Sequence, residues 1–274
     1  MALFGTPVTA GAAAAVLDLS GGWSREDNLS RSIEADDRES AHVLHLAASR
    51  RSPPDVWRGG RVTTSMQGAL TRIPEFDELD RIDAALEVGG RWRTGDAWGS
   101  PWLGFDLDVA GRLHRDARER DALAVQAAAL TGARVTDRLR WLAGIVHRRQ
   151  ESREGRVHDR RGLRLLLRPE LQLAGGAVVW LRAEVERGDI VANASPDPAL
   201  VRASQARRPD AVFGRGRISY RLDATRFGSA IGVLWPLGRD ASLELSGTRS
   251  WIDADEGFDY HTGQIALTVV TRIR

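Results

Sequence analysis

The sequence predicts an all-β fold, a single antiparallel transmembrane β-barrel of about 12–14 strands. Three observations lead there. Segments of about ten residues alternate apolar and polar side chains along nearly the whole chain, clusters of Gly, Asp, Pro and Arg separate them, and tryptophans recur on the apolar phase toward segment ends.

Taken in order, the first segment sets Leu17, Leu19, Gly21 and Trp23 against Asp18, Ser20, Gly22 and Ser24, then breaks in a polar loop from Arg25 to Arg38. The second, near Ser40 to Arg50, is ambiguous in facing. Around Arg61 to Arg72, Val62, Thr64, Met66, Gly68 and Leu70 share a face; after Pro74-Glu75-Phe76-Asp77 the chain returns with Ile82, Ala84, Leu86, Val88, Gly90 and Trp92. The clearest alternation puts Leu103, Phe105, Leu107, Val109 and Leu113 opposite Asp106, Asp108, Arg112 and His114. Further segments follow at about 121–130, 138–149, 160–173, 178–187, 216–235, 241–251 and 260–273. Ala174-Gly175-Gly176 reads as a tight turn, whereas Gly188 to Asp210 is the longest connection. The 216–235 stretch shifts phase near Thr225-Arg226-Phe227, so it predicts either two strands with a turn or one long strand with a bulge.

Strand length favours a membrane barrel over a soluble sandwich. A tilted spanning strand needs about 9–11 residues, and soluble strands most often have about 5–6. Trp23, Trp92, Trp141, Trp235 and Trp251 fit membrane-interface positions, with ordinary core tryptophan as the alternative. The opposite phase repeatedly carries charge, and a dry core could not hold it unpaired. Asp106, Asp108, Arg112, Arg140, Arg164, Arg168, Arg182 and Glu184 are therefore the candidate lumen-lining residues. They could equally pair across strands and close the interior, or face solvent on a sandwich.

Composition excludes several other classes. The chain has 274 residues, 42% hydrophobic and 28% charged, with a mean hydropathy of -0.30. No run approaches the ~20 apolar residues of a spanning helix. All 39 basic residues are Arg, balanced by 37 acidic ones to a net charge of +2, and no basic patch interleaved with aromatics invites nucleic acid. With no Cys, disulfides, zinc-thiolate sites and thiol nucleophiles drop out. The six His are scattered, and His42 and His45, three apart on a strand, point to opposite faces. No Gly-x-Ser-x-Gly elbow or phosphate-binding glycine loop occurs, so no enzyme, metal or cofactor is expected.

One domain over residues 16–274 is the economical reading. Residues 1–15 read as a signal-peptide remnant or N-terminal extension, because Val8 to Val16 is apolar and Ala-rich but no basic segment precedes it.

Two stretches carry a family resemblance. Gly22-Trp23-Ser24-Arg25-Glu26-Asp27-Asn28-Leu29 resembles the first strand and Asp-Asn surface motif of the surface lipoprotein assembly modifier (Slam) barrels. Leu245 to Ile252, followed by Phe258-Asp259-Tyr260-His261 and the last strand, resembles their closing hairpin. This sequence departs from that family in lacking its helical repeat domain and in ending Thr271-Arg272-Ile273-Arg274 where an aromatic is usual. The resemblance implies transport or translocation across the cell outer membrane, with delivery of lipoprotein or other protein substrates to the surface. The expected partners are outer-membrane lipid, such a secreted substrate and a separate periplasmic helical protein. A passive porin for small solutes is the first alternative, and a lipid-modifying enzyme of the outer membrane the second.

Overall fold

Alternation on β6 (Trp102–His114) is translated directly into two faces. Leu103, Phe105, Leu107, Val109 and Leu113 are exposed, and the intervening side chains are partly covered. The same two-residue period runs through the other long strands: β1 (Val16–Glu26), β2 (Ala41–Arg51), β4 (Gly60–Arg72), β5 (Arg81–Arg93), β7 (Ala122–Arg134), β8 (Leu139–Ser152), β9 (Arg160–Gln172), β10 (Val178–Ala194), β12 (Ile218–Pro236), β13 (Ala241–Ala254) and β14 (Phe258–Ile273). Two short strands, β3 (Asp55–Trp57) and β11 (Ala206–Pro209), attach to β4 and β12. This computed structural model describes residues 15–32, 34–57 and 60–273. The sequence reading of residues 1–15 falls, apart from Ala15, outside the described residues.

Each long strand pairs antiparallel with its neighbour in the chain, and β1 closes on β14 from Leu17↔Ile273 to Glu26↔Gln264. The result is a closed barrel of twelve strands. Closure leaves no open edge, so each strand's backbone finds its partners within the ring, as hydrocarbon demands. None of the described helices is long and apolar enough to cross a membrane.

The outer face is a belt of hydrocarbon. Leu46 and Leu86 are each 57% exposed and Leu165 is 54% exposed, with many similar neighbours. A continuous band of that kind far exceeds the few hundred Å² of apolar patch a soluble surface tolerates, so the belt is built for lipid. Short connections, such as 135–138, 173–177 and 237–240, lie at the end where β1 begins and β14 finishes. In the 173–177 turn Gly175 and Gly176 take φ of 81° and 85°, which side chains with a Cβ resist. The longer loops, 27–40 and 195–217, lie at the opposite end.

At this loop end the interior changes character. Tyr220, Leu222, Ala224, Ala192, Ala194, Ile252, Ala254 and Tyr260 converge with Leu200 of helix α1 (Pro198–Ala203) in a dry cluster. A second cluster joins Ala41, Ile73, Leu79, Ala117 and Phe213. Together they form an apolar cap over the barrel interior.

Three sequence expectations need correction here. The apparent phase shift at Thr225-Arg226-Phe227 is neither a turn nor a bulge, because β12 pairs with β10 without a break from Val178↔Leu234 to Ala194↔Ile218. Even-numbered residues of β12 point inward throughout; what inverts is the environment. In the belt Phe227, Ile231 and Trp235 face outward, whereas above it Tyr220 and Leu222 are fully buried inward. For the same reason the longest connection is 195–217 rather than 188–210: β10 continues to Ala194. Lastly, the Asp-Asn pair is not wholly a surface motif. Asn28 is 1% exposed and its amide donates to the carbonyls of Ser32 (3.0 Å) and His261 (3.2 Å).

Candidate functional site

Because strands of neighbouring register bring their inward residues level, the interior is lined by ladders of ionised side chains. On β5 and β6, Arg91 donates from both Nη atoms to the two oxygens of Asp106, each at 2.8 Å, and its guanidinium lies 5.1 Å over the Trp102 ring. Closer to the cap, Asp83 accepts from Arg81 Nε at 3.0 Å and Arg112 Nε at 2.9 Å. Forked guanidinium–carboxylate pairs of this kind hold direction as well as charge.

The opposite wall, β8 to β12, is richer in arginine. Glu170 takes Arg140 and, at 2.8 Å, Arg168, which also sits 4.5 Å over the buried Trp180. Arg226 donates to Glu184 at 2.6 Å and Glu186 at 2.8 Å. Arg148 reaches Glu186 at 3.2 Å, while Arg164 and Arg182 approach Glu184 at 3.7 and 3.5 Å. Buried carboxylates removed from such a network would strand several guanidiniums at once, so its members hold one another in place.

All eight residues singled out from the sequence stand on the inward phase. Seven of them, Asp106, Arg112, Arg140, Arg164, Arg168, Arg182 and Glu184, are ion-paired. Asp108 differs: it lies directly across from Glu87, another acid, which accepts from Ser65 Oγ at 3.0 Å. Sequence reasoning missed Arg91, Arg148, Arg160 and Arg226. Arg91, Arg148 and Arg160 share the phase of residues it did select, Arg160 standing with Arg164 and Arg168 on β9, so the alternation could have found them. Arg226 was hidden by the inversion on β12.

Two cavities share this interior. One of about 980 Å³, near the short-turn end, is lined by Arg51, Arg61, Glu87, Arg91 and Asp106. The other, about 260 Å³, lies beneath the cap among Arg31, Arg148, Arg160, Arg226, Glu186 and Tyr260.

The cap is fastened by charge as well as apolar contact. Asp37 in the 27–40 loop accepts from Ser195 N at 2.6 Å and pairs with Arg217. Burial pushes its carboxyl up, yet the Ser195 N–H and the Arg217 guanidinium outweigh that and hold it below the usual carboxylate value. His158, in the loop after β8, is 3% exposed. Burial, with Arg120 and Arg160 nearby, pushes its imidazole down to about 2.

The five tryptophans lie on the outer phase within three residues of strand ends. Trp23 and Trp251 are near the loop end, and Trp92, Trp141 and Trp235 near the short-turn end. Trp23 donates to His42 Nδ1 at 3.1 Å, and Trp92 stacks on Phe105 at 5.7 Å.

The fold and this charged interior define an outer-membrane-type β-barrel. No family model and no curated protein matches the sequence. Among solved structures, an outer membrane channel from Pseudomonas putida F1 superposes with a TM-score of 0.62 at 9% identity, over 98% of this chain and 100% of that one. The NanC porin gives 0.48 at 10% identity, over 93% and 98%. The KdgM porin gives 0.45 at 8%, over 93% and 99%. At such identities the likeness to the Pseudomonas channel concerns the fold, and with the apolar belt it places the chain among barrels of the cell outer membrane.

Proposed function

We propose that this chain is a porin-like transport barrel of the outer membrane, passing small solutes through a charged, water-filled interior that is closed at its loop face in the present conformation. The observation that carries the reading is the pair of cavities walled by ionised ladders beneath a dry cap. Charge at this density is stable only with water or counter-charge beside it, and the two cavities leave room for water and solute along the ladders. The five tryptophans act as interface anchors, with lipid as their partner.

Delivery of lipoprotein or other protein substrates is the finer alternative and rests on the Slam resemblance. Interior spaces of 260 and 980 Å³ suit a small solute better than a polypeptide. We therefore place solute passage first.

Planar-bilayer recording tests this. The wild-type barrel is expected to show low conductance with brief openings. Tyr220→Ala, which hollows the cap, is expected to raise the open fraction, and Arg164→Glu to shift ion preference toward cations. Absence of conductance in both wild type and Tyr220→Ala would overturn the proposal.

A further inference from the structure

We propose that Arg31, Arg148, Arg160 and Tyr260 form a binding site for a small oxyanion, a carboxylate- or phosphate-bearing solute, in the cavity beneath the cap. This deepens the transport reading and rests on the interior being a solute path. Most interior arginines are matched to a carboxylate, but among the described residues neither Arg31 nor Arg160 has an ion-pair partner, although both line this cavity. The Nε atoms of Arg148 and Arg160 are buried without a hydrogen-bond partner.

The backbone supports the same conclusion. Arg31 is the one non-glycine residue, among those described, with positive φ (57°). That region is sparsely populated for a residue with a Cβ, so the surrounding loop must impose it. The loop does so through Asn28, whose carbonyl accepts from Arg31 N at 3.2 Å. The consequence is that Arg31 lines the barrel interior, where it joins Arg148 and Arg160, residues of the barrel wall.

The carboxylates around the cavity do not offset this charge. Glu184 and Glu186 are taken by Arg226, Arg164, Arg182 and Arg148. Asp189 accepts from Arg161 N at 3.0 Å and is matched by the Arg161 guanidinium at 3.9 Å. Only Glu26 remains, one acid against the two unmatched guanidiniums. An oxyanion held by Arg31, Arg148 and Arg160 would satisfy orphaned donors and relieve like-charge crowding together. Glu26 then accepts from a hydroxyl of the same solute, or from the proton of a monohydrogen phosphate. The volume of about 260 Å³ limits the guest to a small molecule.

The test is calorimetric and melting titration of the full-length barrel folded in detergent, with inorganic phosphate and acetate as probes in a chloride background of constant ionic strength. Saturable binding of at least one probe, with a raised melting midpoint, is expected. Arg160→Gln and Arg31→Gln should each weaken it by about tenfold or more, while Arg239→Gln in the exposed 237–240 turn leaves it unchanged. In chloride alone Arg160→Gln should melt no lower than wild type, because it removes an unmatched charge. Folding of each variant is checked by heat-modifiable migration; the Arg31 variant, in a loop, keeps the test decisive if Arg160→Gln does not fold. Lack of saturable binding of either probe, or undiminished binding in the folded variants, overturns the proposal. A failure to conduct in bilayers would sink the transport reading and leave this binding result standing.

Discussion

The lower and upper parts of β10 and β12 are built on the same backbone and the same register, yet they are inside out with respect to each other. In the belt, β12 turns Phe227, Ile231 and Trp235 outward and Arg226 inward; above it, the inward positions are Tyr220 and Leu222. Strand geometry fixes only which residues share a face. Whether that face is oily or charged is set by what lies across from it: lipid against polar interior in one zone, and in the other a packed polar cover over Asn193 and Ser219 on one side against the apolar cap on the other. Gly188 sits between the two zones of β10 with φ of 152°, where a Cβ would collide with the Arg161 carbonyl. It lets β9 and β10 meet closely where the ladders end and the cap begins.

If the two zones are separate energetic units, the largest effect should come from the cap and spare the barrel. Tyr220→Ala removes a fully buried aromatic and is expected to cost about 3–5 kcal/mol locally. Protease cleavage within 195–217 should rise sharply while heat-modifiable migration persists; loss of the folded barrel instead would show that the cap and belt are one unit. The converse substitution in the belt, Ile231→Arg, should cost about 2–4 kcal/mol at mid-depth. It would be read as a lower folded fraction in lipid vesicles, with cap protection intact in the molecules that do fold.

Acidification should separate the zones further. His158 stays neutral in the folded protein down to about 2, whereas the unfolded chain takes up a proton near 6.5. The unfolded state therefore binds more protons across that window. Loop-end stability should be complete above pH 6.5 and fall by up to about 1.4 kcal/mol per pH unit below it. Hydrogen exchange at pH 7 and pH 5 checks this, and His158→Gln should flatten the dependence. Asp37 gives the smallest effect and a lower window. Its folded carboxyl lies below the ordinary value of 3.8, so its contribution is present above 3.8 and disappears as pH falls through the lower folded value. Asp37→Asn should remove that last acid step in protection of the 195–217 loop without altering the step due to His158.

The lipid belt was legible in the residues because it obeys one period in one environment: Leu103, Leu107 and Leu113 outward, Asp106 and Arg112 inward. The same logic located seven members of the ion-paired ladders by phase alone. It failed at 225–227, where a change of environment looks like a change of backbone, and so it shortened β10 and misread β12. Arg31 was beyond it for another reason, and so was its meeting with Arg160, although Arg160 stands on the same phase of β9 as Arg164 and Arg168. A loop with one left-handed residue and the first residue of a distant strand have no shared period, and only closure of the ring brings them to one cavity.

By itself, then, the order of residues determined the strands, their two faces and a bilayer as the solvent for one of them, since each depends on side chains two apart. Ring closure, the partners within each ladder, the dry cap and the unmatched arginines were decided by tertiary structure. Those features depend on which residues meet across the barrel, and that is fixed by long-range register rather than by any local pattern.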